Sequence, residues 1–113
     1  EYKCIWSLND ERLPIDGNAK VVRRNSLAYH KVMARSQYFV NNVNFDESYR
    51  KRKGQIEIQT MHGTPLKTLG LDVPGELPTE EARRKFIEKC DRWNYLVVQS
   101  DKASKITASC YAF

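Results

Sequence analysis

Short apolar runs that alternate with helical patterns constrain this chain more than any other feature. Residues 2–8, 20–23, 37–41, 55–60 and 95–98 each read as a strand. The segments between them carry helical spacing instead. Asn25 or Ser26 caps a helix whose Ala28, Tyr29, Val32 and Met33 share one face. Thr79 caps another, with Glu80 and Glu81 at its positive end and Ala82, Phe86, Cys90 and Trp93 as its apolar stripe. Ser100 or Asp101 caps a last helix carrying Ala103, Ile106, Thr107 and Cys110. Residues 66–69 leave room for about one helical turn, and residues 71–78, with Pro74, Gly75 and Pro78, read as a loop. Strands that alternate with helices specify an α/β fold with a mainly parallel sheet and flanking helices. A length of 113 residues suits one domain, so residues 1–113 are expected to form a single α/β domain. Trp6, Trp93, Phe39, Ile58 and Val97 are expected in its core, and His30 at its surface or in packing.

Composition narrows the class without choosing a function. Hydrophobic residues make up 41% and charged residues 29%, which excludes a disordered tail and a collagen-like fibre. No apolar run approaches the length of a membrane-spanning helix. The chain opens on Glu1, Tyr2 and Lys3, without the basic and apolar regions of a secretory leader. It begins without Met on a strand pattern and stops at Phe113 after a helical one, so a piece of a longer protein is expected. Cys4, Cys90 and Cys110 are odd in number and lack C-x-x-C spacing. That argues against a disulfide framework or a cysteine zinc site, and for reduced thiols in a cytosolic setting. All three read as small buried hydrophobes. No metal and no cofactor is expected.

The net charge of +5 favours an anionic partner: nucleic acid, a phospholipid surface or a phosphate-rich substrate. Arg50, Lys51, Arg52 and Lys53 concentrate it. Such a run is either a solvated face or a contact for anionic lipid or a polyanionic polymer. A non-enzymatic basic α/β module that binds nucleic acid is the rival from another class. It lacks any RNP-like, KH-like or helix-turn-helix pattern, so no nucleic-acid partner is expected.

The chemistry concentrates in residues 59–67, Gln-Thr-Met-His-Gly-Thr-Pro-Leu-Lys. A strand ends near Thr60, and Thr64 followed by Pro65 suits the cap and first position of a short helix. His62 then lies beyond the carboxyl end of a parallel strand, where open α/β sheets place their ligands. Gly63 lets backbone approach a ligand, and Lys67 adds a cation. The helix N-terminus would offer N–H groups to a phosphate and keep His62 neutral, the form a general base needs. A tight turn whose histidine merely bonds to backbone gives the same pattern, and from the residues alone both readings stand. The spacing is neither a Walker A loop nor a Rossmann glycine fingerprint. Asn41, Asn42 and Asn44 close the preceding strand, where asparagines either bind hydroxyls or simply terminate strands.

This motif, running on into Leu69, Gly70, Leu71 and Asp72, resembles that of the CDP-glycerol:poly(glycerophosphate) glycerophosphotransferase family, the teichoic acid polymerases and primases. Residues 2–8, 21–26, 38–45, 51–55 and 95–100 also fall in the family's order, so the resemblance covers nearly the whole chain. It implies a Rossmann-like domain like the N-terminal, acceptor-side half of a GT-B glycosyltransferase, with the C-terminal donor-binding half absent. It implies a glycerophosphotransferase of wall teichoic acid synthesis, peripheral on the cytoplasmic side of the cell membrane. Its partners would be CDP-glycerol, held mainly by the missing half, a poly(glycerol phosphate) or lipid-linked acceptor, and an anionic membrane surface. The resemblance makes His62 the proposed catalytic base; beside it, Gly63, Thr64, Lys67 and Asn42 are expected as substrate contacts from their own residue types and places. The isolated residues would then be inactive. The family often has Trp before the histidine, where this chain has Met61. A related polyol-phosphate or capsule polymerase using another CDP-linked donor is the nearest alternative.

Overall fold

The computed structural model describes residues 2–46 and 48–113. The chain divides into two compact units, Glu1–Ser36 and Gln37–Phe113. The first unit pairs β1 (Ile5–Leu8) with β2 (Lys20–Arg23) in parallel, Ile5 opposite Lys20, and follows them with α1 (Leu27–Arg35). Ser26 caps α1 by accepting a bond from the Tyr29 N–H at 3.1 Å, and Tyr29 and Val22 are buried. Two expectations fail in this unit. Trp6 is 51% exposed rather than core, and Cys4 is exposed rather than a buried hydrophobe. Cys4 lies before the strand, which starts at Ile5. Within β1, Trp6 and Ser7 are both exposed while Ile5 and Leu8 are half-buried.

The second unit is a three-stranded parallel sheet in the order β3-β4-β5, formed by β3 (Tyr38–Asn41), β4 (Ile56–Gln59) and β5 (Tyr95–Leu96). Parallel sheets with flanking helices are the α/β class that the alternating pattern implies. β4 is central. A single 3₁₀ turn (Gly70–Asp72), α2 (Glu80–Cys90) and α3 (Asp101–Tyr111) complete the unit. Thr79 accepts from the Ala82 N–H and Ser100 from the Ala103 N–H, so each helix starts at a side-chain cap. β3 reaches β4 through residues 42–55, in which no helix occurs among the described residues. That connection is pinned by aromatic packing: the Phe39, Phe45 and Tyr49 rings lie 4.9–5.7 Å apart, centre to centre.

Side chains alternate across the sheet. Phe39 and Glu57 are register partners on the inward face and are both buried. Trp93 is buried against Tyr111 and Phe113, and Phe86 stacks on Tyr111. Cys90 and Cys110 are buried among them, as their residue type implied. Val97 does not join this core. It stands two residues after the outward-facing Tyr95 and is 51% exposed, while Ile58 is half-buried.

The helical turn expected after Pro65 is absent. Residues 66–69 are too few to repay helix nucleation, and Leu66, 94% exposed, has nothing to pack against. The chain instead tightens at Gly70, whose φ of +51° lies in the left-handed region. A Cβ there would overlap the Cys110 carbonyl oxygen and stand 2.8 Å from Phe86 Cζ, so a side chain is excluded as well as strained. Among the described residues, no helix is long and apolar enough to cross a membrane.

Candidate active site

His62 lies just beyond the carboxyl end of the central strand, as its position in the motif implied. The last ladder contact between β3 and β4 is the Thr60 N–H on the Asn41 carbonyl, at 2.9 Å. Past it the two chains diverge into residues 42–45 and 61–63. Met61 takes a left-handed φ of +55°, unusual for a residue with a side chain. His62 Nδ1 sits 2.9 Å from the Asn42 carbonyl oxygen. A carbonyl oxygen only accepts, so Nδ1 carries the proton of the neutral ring and Nε2 carries the lone pair. The imidazole is exposed, so that lone pair is open to a substrate.

The loop holding the Asn42 carbonyl is itself ordered locally. Asn41 Oδ1 accepts from the Val43 N–H at 3.3 Å, a turn made by its own side chain. Thr60 Oγ1 lies 3.3 Å from the Asn41 carbonyl. Gln59, 1% exposed, accepts from the Met61 N–H at 2.9 Å and donates from Nε2 to the Val43 carbonyl at 3.4 Å. Sequence reasoning assigns Gln59 no role of its own. Its signal was a polar residue at the last position of a buried strand, two residues before the turn.

The other motif residues stand in exposed, irregular chain. A Cβ at Gly63 would meet nothing within 4 Å, which is room for a ligand. Thr64 and Lys67 are exposed, and Thr64 caps no helix. The dipole expected behind His62 is therefore absent, and what orients the ring is a carbonyl. The helix start at the carboxyl edge of the sheet belongs to α3, after β5; Val97, just past that strand, donates its N–H to the Gln59 carbonyl. Asn42 contributes its backbone to His62 and exposes its side chain.

The basic run divides. Lys51 is half-buried and donates to the Arg92 carbonyl and, at 2.9 Å, to Asn94 Oδ1. Asn94 Oδ1 also accepts from the Glu57 N–H. Arg50, Arg52 and Lys53 are exposed. Glu57 is fully buried, with neither carboxylate oxygen hydrogen-bonded. Burial pushes its pKa above the ordinary glutamate range, while the charges of Arg92 and Lys51 pull the other way. Burial also pushes the Cys90 thiol up to about 12 and raises that of Cys110, so neither is poised as a nucleophile. Among the described residues, no three His, Cys, Asp or Glu side chains gather as metal ligands.

The family model for CDP-glycerol:poly(glycerophosphate) glycerophosphotransferase matches residues 1–113. The chain belongs to this family. A teichoic acid poly(glycerol phosphate) polymerase of Staphylococcus epidermidis is 33% identical over 97% of this chain, and one of Bacillus spizizenii is 32% identical over all of it. The chain spans 16% and 30% of the length of these two family members. A solved structure of a variant of the wall teichoic acid polymerase TagF, soaked with CDPG, matches 99% of this chain at a TM-score of 0.87 and 30% identity. The chain covers 29% of that structure.

Proposed function

We propose that this chain forms the acceptor-side part of a glycerophosphotransferase, and that His62 is its general base. The carrying observation is the Asn42 carbonyl on His62 Nδ1, which in the neutral ring puts the proton on Nδ1 and the lone pair on Nε2 of an exposed imidazole. In the proposed reaction Nε2 takes the proton from a terminal glycerol hydroxyl of the acceptor. That oxygen bonds to the β-phosphorus of CDP-glycerol, the bond from this phosphorus to the bridging oxygen breaks, and CMP leaves with the bond's electrons. Transfers of this kind depend mainly on positioning and on charge stabilisation around the phosphoryl oxygens. Gly63, Thr64 and Lys67 would meet the phosphate or glycerol groups, and the Asn42 side chain an acceptor hydroxyl.

Family membership and the CDPG-soaked TagF structures support the donor. CDP-glycerol would be held chiefly by a second half, in a GT-B-like arrangement, contributed by sequence the relatives have beyond this stretch. The 113 residues by themselves would then show no transfer. The exposed Arg50, Arg52 and Lys53 would attract a poly(glycerol phosphate) or lipid-linked acceptor and the anionic cytoplasmic surface of the membrane, as a peripheral contact. Lys51 would serve mainly as a strut to Arg92 and Asn94.

The test is His62→Ala in the enzyme of the relatives' length. kcat should fall by roughly 10²–10⁴-fold, the range for losing a positioned base, with a much smaller change in KM. His62→Gln should be nearly as poor. Wild-type kcat in a folded His62→Ala enzyme refutes the assignment.

A further inference from the structure

We propose that Gln59 is the positioning residue that sets the tautomer of His62, an inference that rests on the reading of His62 as the base. The ladder between β3 and β4 ends at Thr60, so no backbone bond of the sheet ties the loop after β3 to the turn after β4. His62 needs those two segments in a fixed relation, because its ring is on one and its carbonyl partner, Asn42, is on the other. Gln59 spans that gap. Its Oε1 accepts from Met61, the residue before His62, and its Nε2 donates to Val43, the residue after Asn42. One planar amide thus fixes both sides of the Asn42–His62 contact.

The chemistry of the position follows. The turn supplies a donor, the Met61 N–H, and the loop supplies an acceptor, the Val43 carbonyl. Only a side chain with one acceptor and one donor in a rigid plane answers both. Glutamate offers acceptors alone and would set an oxygen against the Val43 carbonyl. Methionine fills similar space and answers neither. Burial sharpens the effect, because at 1% exposure no solvent replaces a lost bond. The same bond to Met61 holds the left-handed backbone that swings His62 back toward Asn42. Gln59 needs no contact with substrate. It acts through His62.

The chain has two histidines, so 15N-histidine NMR reads His62 with His30 as an internal reference. Above the titration of the rings, His62 should show protonated Nδ1 and bare Nε2. In Gln59→Met its 15N shifts should move toward the mixed tautomers of an unheld imidazole, while His30 stays unchanged. Gln59→Glu, close in shape, guards against a folding failure. It should shift the tautomer likewise, because the bond to Val43 is lost while the acceptor for Met61 remains. In the enzyme of the relatives' length, Gln59→Met should lower kcat by about 10–10²-fold with little change in KM, the scale of a misplaced catalytic group. An unchanged His62 spectrum in a folded Gln59 variant overturns the proposal, even where His62→Ala abolishes turnover. A shifted tautomer with full activity in His62→Ala would instead remove the base assignment and leave the positioning intact.

Discussion

In β4 and the residue just before it, Gln55, Glu57 and Gln59 are buried at 6%, 0% and 1% exposure, whereas Ile56 and Ile58 stand outward and half-buried. Around those isoleucines, on the same face, Tyr38, Val40, Tyr95 and Val97 are exposed. A parallel sheet ordinarily buries apolar residues on both faces. Here the covered face is the polar one. Burying an amide without partners costs free energy, so the two glutamines persist because they are bonded, whereas the Glu57 carboxylate is buried without a hydrogen bond. Gln55 Oε1 accepts from the Arg52 N–H, Gln59 bonds both loops at the strand end, and the Glu57 backbone is matched on both sides by Asn94. Apolar stabilisation comes instead from neighbours such as Phe39 and Trp93. The inward face of the central strand is thus built to hold loops in place, and stabilising the sheet falls to the elements beside it.

The largest break in this comparison should come from adjacent residues on opposite faces of β3. Phe39→Ala removes a buried ring packed on Phe45 and Tyr49 and should cost about 3–5 kcal/mol in urea unfolding. A loss below about 1 kcal/mol would show that the inward face does not carry the core.

Glu57→Gln sharpens the comparison with a smaller, pH-dependent effect. Burial raises this carboxyl above its ordinary value of 4.5, against the pull of Arg92 and Lys51, so the folded chain prefers it protonated. The stability it contributes is full below the unfolded-state value and is lost as pH rises through the folded one. Glu57→Gln escapes that loss. Its Tm should exceed wild type near neutral pH, with the gap closing as pH falls below the ordinary glutamate value. A gap that persists into acid would assign the effect to packing instead.

The smallest effect belongs to the outward face. Val40 is 70% exposed, and Val40→Ser should change stability by less than about 0.5 kcal/mol. Equal costs at positions 39 and 40 would erase the distinction between the faces.

Local signals were legible in the sequence. Ser26, Thr79 and Ser100 each cap a helix because a cap needs only its own first turn, and the stripe of Phe86 and Cys90 was readable for the same reason, although the helix ends at Cys90, before Trp93. His62 could be placed beyond a parallel strand because the motif joins a strand to a turn. Burial was harder to read, since it depends on which layer covers which face. Trp6, Cys4 and Val97 are apolar by type and exposed by placement. The missing turn after Pro65 shows that good cap residues do not make a helix without length or a surface to pack on. Gln59 was hidden by the usual rule, under which Gln-Ile-Glu-Ile-Gln turns its isoleucines inward.

The contact between Asn42 and His62 joins residues twenty apart in sequence, and it exists only when β3 and β4 pair with Tyr38 opposite Ile56. Sliding β4 by one residue would turn Ile58 inward and Gln59 outward. It would also carry the histidine about 3.3 Å along the strand, beyond reach of the carbonyl that holds its proton. A misaligned chain could keep a parallel ladder of nearly equal length and still possess no oriented imidazole. The protonation pattern of a single ring therefore reports whether two strands have found their register.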